Sequence, residues 1–62
     1  MCEPNAYLAR ADREEIVMEH VGHLTLEGDR VVLETMLGDR KEVRGALREI
    51  DFLQNRIVID PR

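Results

Sequence analysis

The sequence contains no serine and no tryptophan, and its aromatic residues are Tyr7 and Phe52 alone. Without serine a serine-based catalytic triad is excluded, and two separate aromatic residues give no platform on which nucleobases could stack. A glycine-rich phosphate loop and a CxxC pair are also missing. These absences predict that the protein is not an enzyme, with no catalytic residues to assign.

Cysteine occurs once, at Cys2, so an internal disulfide cannot form. Secreted proteins of this size usually have several cysteines, and neither a signal peptide nor an apolar run of membrane-spanning length is visible. We therefore expect a cytoplasmic protein that is not attached to a membrane. A length of 62 residues predicts one domain, residues 1–62, with a core so small that oligomerisation or a metal commonly supplements it.

The charge of the chain is acidic, with 13 Asp and Glu against 9 Lys and Arg and a formal net charge of −4. Nucleic-acid binding requires a basic surface that displaces counterions from phosphates. The most basic stretch includes Arg40, Lys41, Arg44 and Arg48, but Glu42 interrupts it. Binding to nucleic acid is not expected, and an RNA-binding barrel that uses these four residues is kept as the alternative.

Turn signals divide the chain into short apolar segments. Gly28-Asp29 and Gly38-Asp39 are typical two-residue hairpin links, and Gln54-Asn55 resembles them because asparagine tolerates a left-handed backbone. A weaker break lies at residues 11–13. The pattern predicts an all-β fold of five to six short antiparallel strands, closed as a small SH3-like or Sm-like barrel without exposed edges.

Alternating apolar residues between these turns indicate which side chains face the core. A helix over residues 16–21 is the competing interpretation, because Asp12 and Glu15 resemble a capping box. Stiff β-branched residues in that segment favour a strand instead, and one short helical turn is allowed near residues 45–47. The predicted core consists of Leu24, Leu26, Val31, Leu33, Val43, Ile50, Phe52, Ile57 and Ile59.

The position of Cys2 gives it chemistry that an internal cysteine lacks. Because cysteine is small, we expect removal of Met1, which leaves an α-amine and a thiol on one residue. These two groups close a five-membered chelate ring around a metal, and the backbone amide of Glu3 is a further candidate donor. Pro4 has no N–H and ends such a series. Nitrogen and thiolate donors in a plane suit nickel(II) or copper(II).

Other metal-ligand residue types are present, but their spacing is unspecific. His20 and His23 share a face on a helix and point to opposite faces on a strand. We therefore expect two partly exposed histidines that titrate independently and ligate no metal. Met18 and Met36 are expected to fill space in the core.

The opening residues Met1 to Leu8 resemble the start of the CooT family of small nickel-binding proteins. The resemblance continues through Glu15–Glu19, Glu27–Asp29, Leu37–Asp39 and Ile50–Leu53, and thus covers nearly the whole chain. The later segments are generic hairpin sequence. The specific part is the Met-Cys start combined with this length and turn pattern.

The resemblance implies a small β-barrel that forms a homodimer and binds Ni(II) through Cys2 as an accessory factor of carbon monoxide dehydrogenase. Two Cys2 amine–thiolate chelates would together make a four-coordinate N2S2 site, with the Glu3 amide replacing an amine in one variant. It assigns no ligand role to His20 or His23. The other alternative is an interaction module that binds no metal. If the protein does bind a metal, the sequence does not distinguish among delivery, storage and sensing of that metal.

Overall fold

The computed structural model describes residues 3–62 and forms six β-strands, with no helix in that range. The predicted all-β class is confirmed. Every segment between the predicted turns is a strand, including the one for which a helix was the competing interpretation. The strands are β1 (Asn5–Ala9), β2 (Glu14–Met18), β3 (Val21–Glu27), β4 (Arg30–Thr35), β5 (Arg40–Asp51) and β6 (Arg56–Pro61).

The strands form a mixed sheet in the order β2-β1-β6-β5-β4-β3. Four of the neighbouring pairs are antiparallel, whereas β1 and β6 are parallel, with Ala6 opposite Ile57. This small β-domain differs from the predicted antiparallel barrel because the sheet is not closed. The chain turns at residues 19–20 from β2 at one end of the sheet to β3 at the other, and no ladder joins these two strands within residues 3–62.

Strand β5 connects the two halves of the sheet. Its first residues pair with β4, and from Gly45 onward it pairs with β6. Apolar side chains from both halves then meet in one core, so the sheet curves around them. The buried members of this core are Ala6, Leu8, Val21, Val31, Leu33, Val43, Ile57 and Ile59.

The predicted core was correct for the centre of the sheet and wrong for three residues that are exposed. Val31, Leu33, Val43, Ile57 and Ile59 are buried, and Leu24 packs against them while partly exposed. The side chains of Leu26, Ile50 and Phe52 are exposed, as is Met36. Alternation marked these residues as apolar positions of the strands, but residues 3–62 do not cover them.

Positive backbone φ angles account for the predicted turns. Gly28 and Gly38 have φ of 59° and 100°, and Asn55 has φ of 58°. A further reversal at His20, also with φ of 58°, was not predicted. Residues 45–47 belong to β5, so the helical turn allowed there does not form. Among the residues that the structure describes, none forms a helix long and apolar enough to cross a membrane.

Candidate metal centre

The N-terminal segment is fixed to the turn between β2 and β3 by two hydrogen bonds that backbone N–H groups of the turn donate. The N–H of Val21 donates to the carbonyl oxygen of Pro4 over 2.8 Å, and the N–H of His20 donates to Oδ1 of Asn5 over 3.2 Å. Cys2, the predicted ligand, lies outside the described residues. Its covalent neighbour Glu3 is described and exposed. The turn at His20 therefore lies beside the start of the described residues.

Glu3 and His20 face each other across this junction. Oε1 of Glu3 lies 3.6 Å from Nδ1 of His20, and the two side chains are 43% and 72% exposed. The left-handed backbone of His20 directs the chain from β2 into β3. The structure thus brings together a predicted ligand residue and a histidine for which sequence reasoning predicted no role. The turn at His20 places Glu3 and His20 side by side. This turn was not predicted, because the residues around it give no turn signal.

A pocket of about 440 Å³, which we call the N-terminal pocket, surrounds this pair. Its walls come from the N-terminal segment, the β2–β3 turn and the β4–β5 loop. The donor-bearing side chains that line it are Glu3, Glu19, His20, Met36 and Asp39. No group of three or more His, Cys, Asp or Glu side chains within residues 3–62 is placed to hold a metal ion. The described residues of this pocket therefore do not form a metal site by themselves.

Next to the N-terminal pocket lies an apolar groove of about 250 Å³, lined in part by Pro4. Three residues from the predicted core, Leu24, Ile50 and Phe52, line this groove together with His23. Phe52 is 88% exposed. The two histidines are thus separated, since His20 lines the pocket and His23 lines the groove. Sequence reasoning expected these apolar side chains to be internal and so did not identify the groove.

Two loop leucines are also almost fully exposed. Leu37, which lines the N-terminal pocket, is 93% exposed, and Leu53, which follows Phe52, is 99% exposed. Such fully exposed large apolar side chains usually mark an interaction site when they are grouped. Leu37 lines the N-terminal pocket together with Glu3, and Phe52 lines the groove together with Pro4.

The basic residues kept for RNA binding each have a protein partner. Arg44 faces Asp29 at 3.2 Å, and its guanidinium lowers the pKa of that carboxyl from the ordinary value of 3.8. The other contacts are Arg40 to Glu42 at 3.5 Å, Arg48 to Asp60 at 2.7 Å, and Lys41 Nζ to the Val17 carbonyl oxygen at 3.4 Å. Because these cations sit among carboxylates, they form no continuous basic stripe for phosphates.

Comparison with known proteins identifies the family. The sequence model of the family described as "CO dehydrogenase accessory protein CooT" matches residues 1–60. The chain belongs to the CooT family. Proteins of this family are accessory proteins of CO dehydrogenase and are not enzymes themselves, which confirms both the resemblance and the prediction that the chain has no enzymatic activity.

Two relatives and one solved structure are also similar to this chain. It is 37% identical over 60 residues to an uncharacterized protein of Methanocaldococcus jannaschii, covering 97% of the chain and 98% of the relative. It is 37% identical over 43 residues to an uncharacterized protein of Archaeoglobus fulgidus, covering 69% of the chain and 96% of that relative. A crystal structure assigned to CooT from Carboxydothermus hydrogenoformans matches with a TM-score of 0.88 and 26% identity, over 98% of each chain.

Proposed function

We propose that this CooT-family protein binds Ni(II) through the thiolate of Cys2, at the interface of a cytoplasmic homodimer, and supports the maturation of CO dehydrogenase. Membership in a family of CO dehydrogenase accessory proteins supports the link to that enzyme. In this proposal nickel is the cargo of the protein. It holds the ion for the enzyme and does not use it in catalysis.

The observation that carries the proposal is the apolar groove beside Pro4. Leu24, Ile50 and Phe52 alternate like core residues, yet they line an open surface. Burying apolar area contributes about 25 cal/mol per Å², and a domain this small gains most from a partner that covers its open face. A second copy of the chain seated on the groove would bring two N-terminal segments to one interface.

The donor chemistry fits nickel at such an interface. After removal of Met1, each Cys2 offers a thiolate and an α-amine, and two chains together offer two nitrogens and two sulfurs. Nickel(II) accepts such nitrogen–thiolate sets in a planar arrangement. In the variant site the Glu3 amide nitrogen replaces one amine, and Pro4, which lacks an N–H, ends the available backbone donors.

Isothermal titration of the protein with Ni(II) tests the metal site. We expect a half-equivalent of nickel per chain, because one thiol cannot fill a four-coordinate site. The Cys2→Ser variant should lose tight binding, while its small second residue preserves removal of Met1. Tight nickel binding by Cys2→Ser would contradict the proposed function.

Analytical ultracentrifugation tests the interface independently. Phe52→Asp places a charge in the groove and should shift the protein to monomer, whereas Leu26→Asp changes an exposed leucine that does not line the groove. Leu26→Asp should leave the dimer intact. A dimer that persists in Phe52→Asp would contradict the assignment of the groove. A groove-dependent dimer that binds no nickel would instead favour the metal-free interaction module.

A further inference from the structure

We propose that the outer edge of β3 pairs antiparallel with the same edge of a second copy of this chain, with Thr25 on the twofold axis between them. This contact is separate from the apolar groove, goes beyond the proposed function and requires no nickel. A second twofold contact on one protein links its dimers into larger assemblies.

The first argument is the direction of the backbone groups of β3. Strand β3 is the last strand of the sheet, and its ladder among the described residues is with β4. Glu27 and Arg30 flank the two-residue turn Gly28-Asp29, so this pair exchanges ladder hydrogen bonds. Bonded and non-bonded pairs alternate along an antiparallel ladder. The backbone N–H and C=O groups of Leu24 and Leu26 therefore point away from β4, toward the outer edge.

The second argument is that this edge lacks the usual protection against strand pairing. Natural proteins protect sheet edges with charged residues, proline or a bulge. Residues 21–26 contain no Asp, Glu, Lys, Arg or Pro. The register shift in β3 lies at its beginning, between Val21 and His23. The rest of the strand therefore pairs regularly with β4 and presents a regular outer edge.

Strand β2, at the opposite edge of the sheet, provides the internal comparison. It begins with Glu14 and Glu15, and Nζ of Lys41 donates to the carbonyl oxygen of Val17 over 3.4 Å. This edge thus carries charges and a lysine that contacts its backbone. The two edges of one sheet differ, and β3 is the edge that is available to another strand.

The third argument is that the apolar side chains of β3 complement themselves. With Thr25 on the axis, Leu24 lies opposite the partner's Leu26, and the two exchange both of their outward backbone hydrogen bonds. Leu26 is 60% exposed and lines neither the groove nor the N-terminal pocket. The pairing covers this side chain with the partner's leucine, and cross-strand apolar pairs stabilise a sheet.

The polar side chains of β3 also complement themselves in this register, which places His23 opposite the partner's Glu27. His23 makes no hydrogen bond or ion pair within residues 3–62. Glu27 receives both of its bonds from Arg30 on Oε1, so Oε2 is available to an imidazole N–H. An axis at Leu24 would instead place His23 opposite the partner's Thr25, and this pair would be lost.

The contact is small, because each chain contributes one short strand. Stable interfaces bury about 1,200 Å² or more in total, and smaller ones are weak or transient. We therefore expect a dissociation constant on the order of 0.1–1 mM for the pairing of two β3 edges. The groove contact forms at lower concentration, and the edge contact then joins the resulting dimers.

Sedimentation equilibrium of variants made in Phe52→Asp measures the edge contact without the groove contact. Glu27→Lys should weaken the association by about tenfold, because it places a cation opposite His23. Glu49→Lys makes the same change of charge on β5 and should leave the association unchanged. Leu26→Asp should abolish it. Equal association for Glu27→Lys and Glu49→Lys would overturn the inference.

An exchange of the two polar partners tests the register. In a chain that carries both His23→Glu and Glu27→Lys, position 23 again lies opposite a group of opposite charge. The double variant should therefore associate more strongly than Glu27→Lys alone. A double variant that associates no better than Glu27→Lys would overturn the assigned register.

Amide hydrogen exchange tests the backbone pairing directly. The N–H groups of Leu24 and Leu26 should exchange more slowly as the protein concentration is raised through the dissociation constant. The N–H of Thr25 belongs to the ladder with Val32, and its exchange should not depend on concentration. Exchange at Leu24 and Leu26 that is independent of concentration would overturn the inference.

The groove contact and the edge contact can fail independently. If the wild type remains a dimer at concentrations above the expected dissociation constant, the edge contact is refuted and the groove assignment stands. If Leu26→Asp removes the dimer while Phe52→Asp retains it, the groove assignment is refuted and the edge of β3 is the dimer contact.

Discussion

Gly45 lies so close to the backbone of β6 that a Cβ at this position would overlap the carbonyl oxygen of Asp60. The atom in the way belongs to the main chain, so it cannot rotate aside. We expect Gly45→Ala to lower the free energy of unfolding by about 1–3 kcal/mol, as overpacking does elsewhere. Urea denaturation monitored by circular dichroism measures the change.

Gly28→Ala is the matched control for this substitution. Gly28 also has a positive φ, but a Cβ there meets nothing within 4 Å. Gly28→Ala should therefore lower the free energy of unfolding only by the strain of a left-handed alanine, about 1 kcal/mol. Equal losses at both positions would show that the contact with Asp60 is not the cause.

The ion pair between Asp29 and Arg44 predicts a titration shift. The Arg44 guanidinium lowers the pKa of Asp29 below 3.8, first through its hydrogen bond and then through its charge. A carboxyl whose pKa is lower in the folded state stabilises the fold above its unfolded pKa, and that contribution disappears as the pH falls through the folded pKa. In Arg44→Gln we expect the pKa of Asp29 to rise.

Carbon-detected NMR of the Asp29 carboxyl follows this shift directly. Arg48→Gln is the control, because Arg48 pairs with Asp60 instead and should leave Asp29 unchanged. An Asp29 pKa that does not rise in Arg44→Gln would contradict the assigned cause.

Nickel affinity should depend on pH if Cys2 supplies both a thiolate and an amine. Each donor must lose a proton before it binds, and their reference pKa values are about 8.5 and about 8. Affinity should therefore fall steeply from about pH 8 to about pH 6, with more than one proton released per metal. Titration in buffers of different ionisation enthalpy measures the number of protons.

A protein that retains Met1 is the control for the amine. Its Cys2 nitrogen is part of a peptide bond, so the chelate loses one donor and its pH slope should be smaller. Equal affinities and equal slopes for the two proteins would show that the terminal amine is not a ligand.

Single-stranded RNA should not bind above a weak non-specific level at about 150 mM salt, because the net charge is negative and repels phosphates. Fluorescence anisotropy with a labelled oligonucleotide tests this. Strong, salt-dependent binding that is lost when Arg44 and Arg48 are both changed to Ala would favour the RNA-binding alternative instead.

The sequence predicted those parts of the fold that depend on local conformation. Gly28, Gly38 and Asn55 occupy left-handed positions that other residues adopt less readily, so the chain reversals around them could be recognised. His20 occupies the same conformation, but nothing in its neighbourhood distinguishes it from a strand residue. The contact between His20 and Glu3 was not predicted for this reason, since the turn at His20 is what brings the imidazole to Glu3.

Non-local features were less predictable. The parallel pairing of β1 with β6 joins strands from the two ends of the described chain. Residues so far apart in the sequence give no local pattern from which the pairing could be predicted. Alternation placed Ile50 and Phe52 on an apolar face, which was correct, but burial depends on whether something covers that face. The pattern of apolar residues indicates which side chains favour burial, but it does not indicate which part of the protein or which partner covers them.

The pairing of Ala6 with Ile57 has a consequence for the order of events during synthesis. Strand β1 is synthesised before its parallel partner β6, which is completed only after β2 to β5, on the order of several seconds later at ordinary elongation rates. During that interval the N-terminal residues are not held by their partner strand and are accessible to the enzymes that trim new chains. Removal of Met1 can thus precede folding. A polypeptide that is truncated before Arg56 lacks β6, so its β1 has no parallel partner strand.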